Sequence, residues 1–278
     1  VPLPGGRVFL IHFLNLAGLG PIFGAIMGAK FGASAYLWIV FGCIFAGAVH
    51  DYFSGMMSLR TGGISYPEII GKFMGKPFMQ VVRVFTPVMM ILVGTVFVAG
   101  PAGLLVSLTK QTLGFGFLTW AVIIFVYYIA ATLLPIDQVI GRLYPLFAAA
   151  LLFMALGILF SLYNHMPALP EVTDGLMNTH PEALSTPLFP MLFVTIACGA
   201  ISGFHATQSP MMARCMMNEK QGRPIFFGAM IAEGVVALIW AAATITFTEG
   251  YEGLAAYMAE PGHNPSSLIH EISTGWLG

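Results

Sequence analysis

Charged residues are scarce in this chain. Only 8% of its 278 residues are Asp, Glu, Lys or Arg, whereas 58% are hydrophobic and the mean hydropathy is +0.85. A soluble domain carries about 25% charged residues, so this chain could not cover its surface with groups that bind water. The shortage excludes a soluble globular protein and predicts an integral membrane protein whose surface faces lipid.

Basic runs and paired cysteines are also missing. The net charge is −1 and no cluster of Lys or Arg is interleaved with aromatic residues, which excludes a nucleic-acid-binding surface. The three cysteines, Cys43, Cys198 and Cys215, have no paired spacing, so neither a disulfide framework nor a zinc site is expected. No His-Glu-x-x-His or paired-aspartate motif is present, and we expect no metal and no cofactor.

Long apolar runs are what the sequence has in abundance. A helix needs about 20 apolar residues to cross a bilayer, and seven stretches reach or approach that length, while the region beyond residue 247 is too polar and acidic for an eighth. The sequence predicts an all-α, polytopic transmembrane bundle in a single domain, residues 1–278. Its spans 1 to 7 are predicted over residues 8–28, 36–59, 81–109, 117–134, 143–163, 188–205 and 225–247.

The loops between these spans sort by charge. Loops counted alternately from the N-terminus place nine Lys and Arg on one side, called side A, and only Lys30 and Lys110 on the other, side B. Basic residues stay on the cytoplasmic side, so we expect the N-terminus and side A to be cytoplasmic. The nine residues are Arg7, Arg60, Lys72, Lys76, Arg83, Arg142, Arg214, Lys220 and Arg223.

Helix breakers interrupt the first span. The stretch "LNLAGLGPIFGAIMGA" carries Gly18, Gly20 and Pro21 within four residues. Proline removes a backbone donor and glycine tolerates the unwound backbone that results. Freed backbone groups survive in hydrocarbon only where they are buried in protein or line a polar cavity. We predict an unwound segment over these residues, with close helix packing as the alternative, and we favour packing for Gly24 and Gly28.

A second interrupted stretch, "ACGAISGFHATQSP", lies in span 6 and predicts unwinding over residues 199–205. Breaks in spans 1 and 6, which start on opposite sides, are typical of a five-plus-five inverted-repeat (LeuT-like) transporter fold. In such folds the broken helices lie side by side and form the substrate site. The candidate substrate-binding residues at the two breaks are Gly18, Gly20, Pro21, Ser202, Gly203, His205 and Gln208.

Three ionisable side chains lie deep within predicted spans. Asp51 lies in span 2 and Glu233 in span 7, where a carboxylate is costly unless it is paired or serves a pathway. His12, in span 1, titrates near neutral pH and suits proton coupling. We predict that Asp51, Glu233 and His12 couple transport to a proton or cation. A structural hydrogen bond is the alternative for Glu233, and a position at the membrane interface is the alternative for His12.

The stretches "HFLNLAGLGPIFGAIMGAKFG", "WIVFGCIFAGAVHDYFSGMMSLRTGGISYPEI" and "ISGFHATQSPMMARCM" occur in this order and resemble the carbon starvation protein A (CstA) family. The resemblance implies an inner-membrane secondary transporter that takes up peptides during carbon starvation, or pyruvate with protons. It also places the family's aspartate after "AGAV" on Asp51. Family members have a further span before the equivalent of Val1 and several after that of Gly278. We therefore expect a piece of a longer gene product, or a short variant that needs a partner.

The residues around the breaks indicate the kind of substrate. Helix N-terminal amides favour a carboxylate, Ser202, Thr207 and Gln208 offer neutral hydrogen bonds, and no Lys or Arg lies at depth near either break. A co-transported proton or cation, or a protonated His12 or His205, would then balance the carboxylate. Together with the resemblance, this predicts inward movement of pyruvate or a short peptide with protons, by a lipid-embedded monomer or oligomer.

Two other classes of function compete with a transporter. "AISGF" resembles the Gly-x-Ser-Gly motif of intramembrane serine proteases, with Ser202 as nucleophile and His205 as base. However, Ala200 replaces the first glycine, and His205 is only three residues away on the same broken helix. A channel or a structural subunit is the other class, but channels need a continuous polar lining and polar residues here cluster at two breaks. We therefore expect a transporter and not an enzyme.

Overall fold

The computed structural model describes residues 2–109, 112–133, 136–164, 170–200 and 203–278. Within these ranges, side chains are described for all residues except 136–145, 198–200 and 203–204. These ranges form α-helices joined by loops and by short π-helical turns, and they contain no β-strand. The helices are α1 (Gly5–Leu16), α2 (Ala25–Ala29), α3 (Ser34–Phe41), α4 (Ala48–Arg60), α5 (Tyr66–Met74), α6 (Lys76–Thr109), α7 (Phe117–Leu133), α8 (Ile136–Asn164), α9 (Phe193–Ala200), α10 (Gly203–Ala213), α11 (Gly228–Phe247), α12 (Tyr251–Ala259) and α13 (Pro265–Leu277).

Within the described ranges, each predicted span falls on a helical segment. Two shorter apolar helices, Phe117–Leu133 and Leu188–Ala197, lie in predicted spans 4 and 6. The pair Gly5–Leu16 and Gly20–Ala29 reaches crossing length only as a bent unit. Among the described residues, four helices are individually long and apolar enough to cross a membrane: Ser34–Arg60, Lys76–Thr109, Leu146–Asn164 and Glu219–Phe247. Seven crossings therefore stay a prediction.

Span 1 bends by 48° within the motif that predicts a break. α1 ends at Leu16, residues 17–19 are not helical, and a π-helical turn begins at Gly20. Gly18 therefore lies in the irregular segment, but the prediction of unwinding is wrong for Gly20 and Pro21. Pro21 lies in the first turn of the second half of the span, where its missing N–H breaks no helical hydrogen bond.

Spans 1 and 6 lie side by side. α9 packs against α2 and the π-helical turn before it, whereas α10 packs against α1. Gly28 makes the first contact close, because a Cβ atom there would lie 2.8 Å from Ile196 Cγ1. This supports close packing as the role of Gly28. Residues 201–202, at the centre of the predicted break in span 6, lie outside the described residues.

α11 is the most buried long helix and packs against helices from both halves of the chain. Its side chains Trp240 and Ile245 are fully buried in the main hydrophobic core. The region beyond residue 247 adds to that core, because the short helices α12 and α13 place Leu254 and Leu268 within it. Glu233, the ionisable residue of α11, is therefore fully buried.

Candidate functional site

Four helices bring ionisable side chains together in the interior. His12 comes from α1, Asp51 from α4, His205 from α10 and Glu233 from α11. Each of these side chains is at most 1% exposed. Burial of four ionisable groups in an apolar interior is costly unless they satisfy one another, so their mutual geometry determines what the cluster can do.

The local sequences of α4 and α10 create this geometry. Buried residues of α10 recur at helical spacing, as in His205, Ser209 and Met212, and α10 packs against α4, which carries the buried Asp51. Positions three and four residues apart share one face of a helix. This packing brings the Ser209 hydroxyl of α10 to the Asp51 carboxylate of α4.

Asp51 is the centre of the hydrogen bonding. Its Oδ2 atom lies 2.6 Å from His12 Nε2, and the Ser209 hydroxyl lies in hydrogen-bond contact with Oδ1. Ser209 Oγ is also 2.8 Å from the His205 carbonyl oxygen. Since a hydroxyl has one proton, Ser209 can donate to one of these acceptors at a time. An edge of Phe226 packs on His12, with ring centroids 5.3 Å apart, and keeps this side of the cluster apolar.

His205 lies between the two carboxylates. Its Nδ1 atom is 3.7 Å from Asp51 Oδ1 and its Nε2 atom is 3.7 Å from Glu233 Oε2. Both separations exceed hydrogen-bond distance, and neither ring nitrogen has another hydrogen-bond partner in the described ranges. A small movement of the ring would therefore make a hydrogen bond to either acid.

Glu233 is the least satisfied member of the cluster. It is fully buried, and neither carboxylate oxygen has a hydrogen-bond partner in the part of the chain that the structure describes. Its neighbour along the helix, Gly234, packs closely on Cys43, whose Sγ would lie 2.7 Å from an added Cβ. An isolated buried carboxylate carries a large desolvation cost, so this position calls for a proton or a cation.

The predicted site residues divide into two groups. His12, Asp51, His205 and Glu233 meet in the cluster, and buried Gln208 lies next to Ser209 on α10. The three predicted residues at the break of span 1 lie elsewhere: Gly18 lies against the Phe97 ring of α6, and Gly20 and Pro21 are buried in the turn that contacts α9. Ser202 lies outside the described residues, and Gly203 is the first residue of α10.

Sequence reasoning missed Ser209. The signal was its position four residues after His205, which places both on one face of a helix. His50, by contrast, packs on Tyr66, with ring centroids 5.8 Å apart, and makes no hydrogen bond to the cluster in the described ranges. The described residues contain no group of three or more His, Cys, Asp or Glu arranged to hold a metal ion.

Comparison with known proteins gives consistent similarities. The family model described as carbon starvation protein CstA matches residues 1–107 and 98–275. An uncharacterized membrane protein of Haemophilus influenzae is 43% identical over 321 residues, covering 99% of this chain and 83% of that protein. The peptide transporter CstA of Escherichia coli is 30% identical, covering 86% of this chain and 42% of its own length.

A second relative in Escherichia coli carries a different description. The pyruvate/proton symporter BtsT is 28% identical, and the match covers 85% of this chain and 42% of BtsT. The peptide transporter CstA of Bacillus subtilis is matched over 48% of its length. The chain thus spans less than half the length of these transporters. No solved structure matches it.

Proposed function

We propose that this chain, which belongs to the carbon starvation protein CstA family, forms the proton-coupling core of a secondary transporter that imports small carboxylates or peptides across a bacterial inner membrane. The relatives described as peptide transporters and as a pyruvate/proton symporter support the substrate class. The observation that carries the proposal is the buried cluster of His12, Asp51, His205 and Glu233, which joins helices of spans 1, 2, 6 and 7.

Charge balance explains why such a cluster would move protons. Asp51 Oδ2 and His12 Nε2 lie 2.6 Å apart in the interior, and a proton shared between them would balance the charge of the carboxylate. Glu233 has no such partner, so it is stable in this interior when it carries a proton. A site that holds a proton in the closed state and releases it when water enters couples proton movement to a conformational change.

His205 is the natural carrier between the two acids. A proton on Glu233 Oε2 can pass to His205 Nε2, and the imidazolium that forms can release its Nδ1 proton to Asp51 Oδ1. One N–H bond forms as one O–H bond breaks in the first step, and the reverse occurs in the second. His205 was predicted to bind substrate; its position between the acids favours ion coupling instead.

The bend of span 1 and the start of α10 offer the substrate site. Residues 17–19 leave helical geometry, and irregular backbone at membrane depth is typical of the substrate-binding region of inverted-repeat transporters. The proposal therefore keeps the five-plus-five fold, with Ser202, Gly203 and Gln208 facing a carboxylate. It also keeps a cytoplasmic N-terminus, which the positions of the basic residues favour.

The test is uptake by proteoliposomes that contain this protein. We expect labelled pyruvate or dialanine to enter faster when the outside is made acidic, and glucose not to enter. Glu233→Gln should abolish uptake driven by the pH gradient while exchange of internal for external substrate continues, because exchange needs no net proton movement. Glu219→Gln is the matched control, since Glu219 is an exposed partner of Arg60. Uptake that rises with external alkalinity, or a Glu233→Gln variant with normal proton-driven uptake, would refute the proposal.

A further inference from the structure

The helix that holds Glu233 carries two more buried polar side chains on the same face. Trp240 follows Glu233 by seven residues and Thr244 by eleven, and at 3.6 residues per turn both point within about 20° of it. Both are fully buried. Neither Trp240 Nε1 nor Thr244 Oγ1 has a hydrogen-bond partner in the described ranges. The face thus presents unpartnered polar groups over about 16 Å of helix.

Thr244, like Thr246 on the same helix, differs from several other helical threonines of this chain. Thr95, Thr132 and Thr195 each donate a hydrogen bond to the carbonyl oxygen four residues earlier, which is how a helix commonly satisfies a threonine in apolar surroundings. The Thr244 hydroxyl makes no such bond. Its oxygen and proton therefore remain available to a partner that is not part of the described protein.

The polar face leads toward the side-B end of the molecule. Tyr251 begins the helix after α11, and its hydroxyl is buried without a hydrogen-bond partner among the described residues, as is that of Tyr36. Burial, and secondarily the nearby Asp174 carboxylate, raises the pKa of Tyr251 above its ordinary value. Asp174 itself is exposed. Buried polar atoms without partners in the described ranges thus recur along α11 from Glu233 and again at Tyr251, which lies near the exposed Asp174.

Buried polar atoms without protein partners are usually satisfied by ordered water. We propose that water molecules along this face of α11 connect Glu233 with the side-B end of the molecule and form the route by which protons reach Glu233. Each water would accept a proton from one neighbour and donate another to the next, so that no water is consumed. Trp240 can donate one hydrogen bond and Thr244 can donate and accept, which fixes water positions between them. The inference rests on the proposed function, since it needs Glu233 to take up the coupled proton.

Thr246 provides a matched control on the same helix. It is buried, its hydroxyl also lacks a hydrogen-bond partner in the described ranges, and it points to the opposite side of α11 from Glu233. A substitution at Thr246 therefore has the same effect on composition and burial as one at Thr244, but it does not touch the proposed route.

The first measurement tests access by water alone. In a background with the three native cysteines replaced by alanine, Thr244→Cys and Thr246→Cys are exposed to external Ag⁺, a small soft cation that travels through water and binds thiolates. We expect Ag⁺ to inhibit transport by the Thr244→Cys variant and to leave Thr246→Cys unaffected. Equal inhibition of the two variants, or inhibition of neither, would overturn the proposed route. This result does not depend on the role of Glu233.

The second measurement follows proton entry into proteoliposomes with an internal pH dye. Thr244→Val keeps the shape of the side chain and removes the hydroxyl, so substrate-coupled proton entry should slow about fivefold, the effect of losing one hydrogen bond, while Thr246→Val should change it little. Substrate exchange without a gradient should stay normal in both. Normal proton entry in Thr244→Val would overturn the route, whereas loss of the proposed function itself is diagnosed separately by Glu233→Gln.

Discussion

Asp51 holds the buried cluster together at the scale of single residues. It contacts His12 from α1 and Ser209 from α10, and His205 lies 3.7 Å from it. A carboxylate at this position would balance the positive charge of a protonated histidine. An unpaired charge in this interior would carry a large desolvation cost. Removal of this carboxylate should therefore disturb proton coupling even when the size of the side chain is preserved.

We expect Asp51→Asn to reduce proton-driven uptake at least about tenfold, because breaking a buried ion pair costs several kcal/mol and about 1.4 kcal/mol corresponds to tenfold. The asparagine keeps the volume and can still accept a hydrogen bond, so we expect the variant to insert and fold, which its elution in detergent checks. Uptake of labelled pyruvate or dialanine at several external pH values measures the effect. An Asp51→Asn variant with wild-type uptake and wild-type pH dependence would contradict the assignment.

Part of this cluster could be predicted from the sequence. The depth of Asp51, Glu233 and His12 within apolar runs identified each of them as costly to bury. Their meeting in one cluster could not be predicted, because hydropathy gives depth in a span but not the rotation of one helix against another. His205 was assigned to the substrate site because it follows a predicted break. Ser209 was missed because serine is common in helices and has a small desolvation cost when buried.

At the scale of elements, the contact between α2 and α9 joins spans 1 and 6. The prediction that span 1 is interrupted identified the correct motif but placed the irregular backbone too far along, since Pro21 starts a helix as readily as it ends one. The sequence also left open whether its glycines served unwinding or packing. Only the position of Ile196 against Gly28 shows that packing explains the second half of the motif.

Gly28→Ala should therefore destabilise the protein. The new Cβ would lie 2.8 Å from Ile196 Cγ1, and overpacking of this kind costs about 1–3 kcal/mol. Ile196→Ala should relieve the clash, so a double-mutant cycle by thermal unfolding in detergent should give a coupling energy of about 0.5–3 kcal/mol. Gly94→Ala is the control, because a Cβ at Gly94 meets no atom within 4 Å. Additive effects of the two substitutions would contradict the packing role.

At the scale of the whole molecule, the loops that share a predicted side also contact one another. On side A, Leu3 donates a backbone hydrogen bond to the Cys215 carbonyl oxygen, and Arg60 pairs with Glu219. On side B, Ala33 donates to the Gly175 carbonyl oxygen at 2.6 Å. Family membership, predicted from three motifs, is confirmed by the family match. The membrane orientation remains a prediction from the distribution of charged residues, because the fold is the same whichever side of the membrane is the cytoplasm.

That orientation can be tested with two single cysteines in a background whose native cysteines are replaced by alanine. Glu171 lies in an exposed side-B loop and Lys220 in an exposed side-A loop. Nine basic residues on side A should keep it in the cytoplasm, since translocation of short basic loops is disfavoured. We therefore expect a membrane-impermeant maleimide to label Glu171→Cys in intact cells and Lys220→Cys only after permeabilisation. The reverse pattern would place the N-terminus outside, and proton entry along α11 would then begin at the cytoplasmic face.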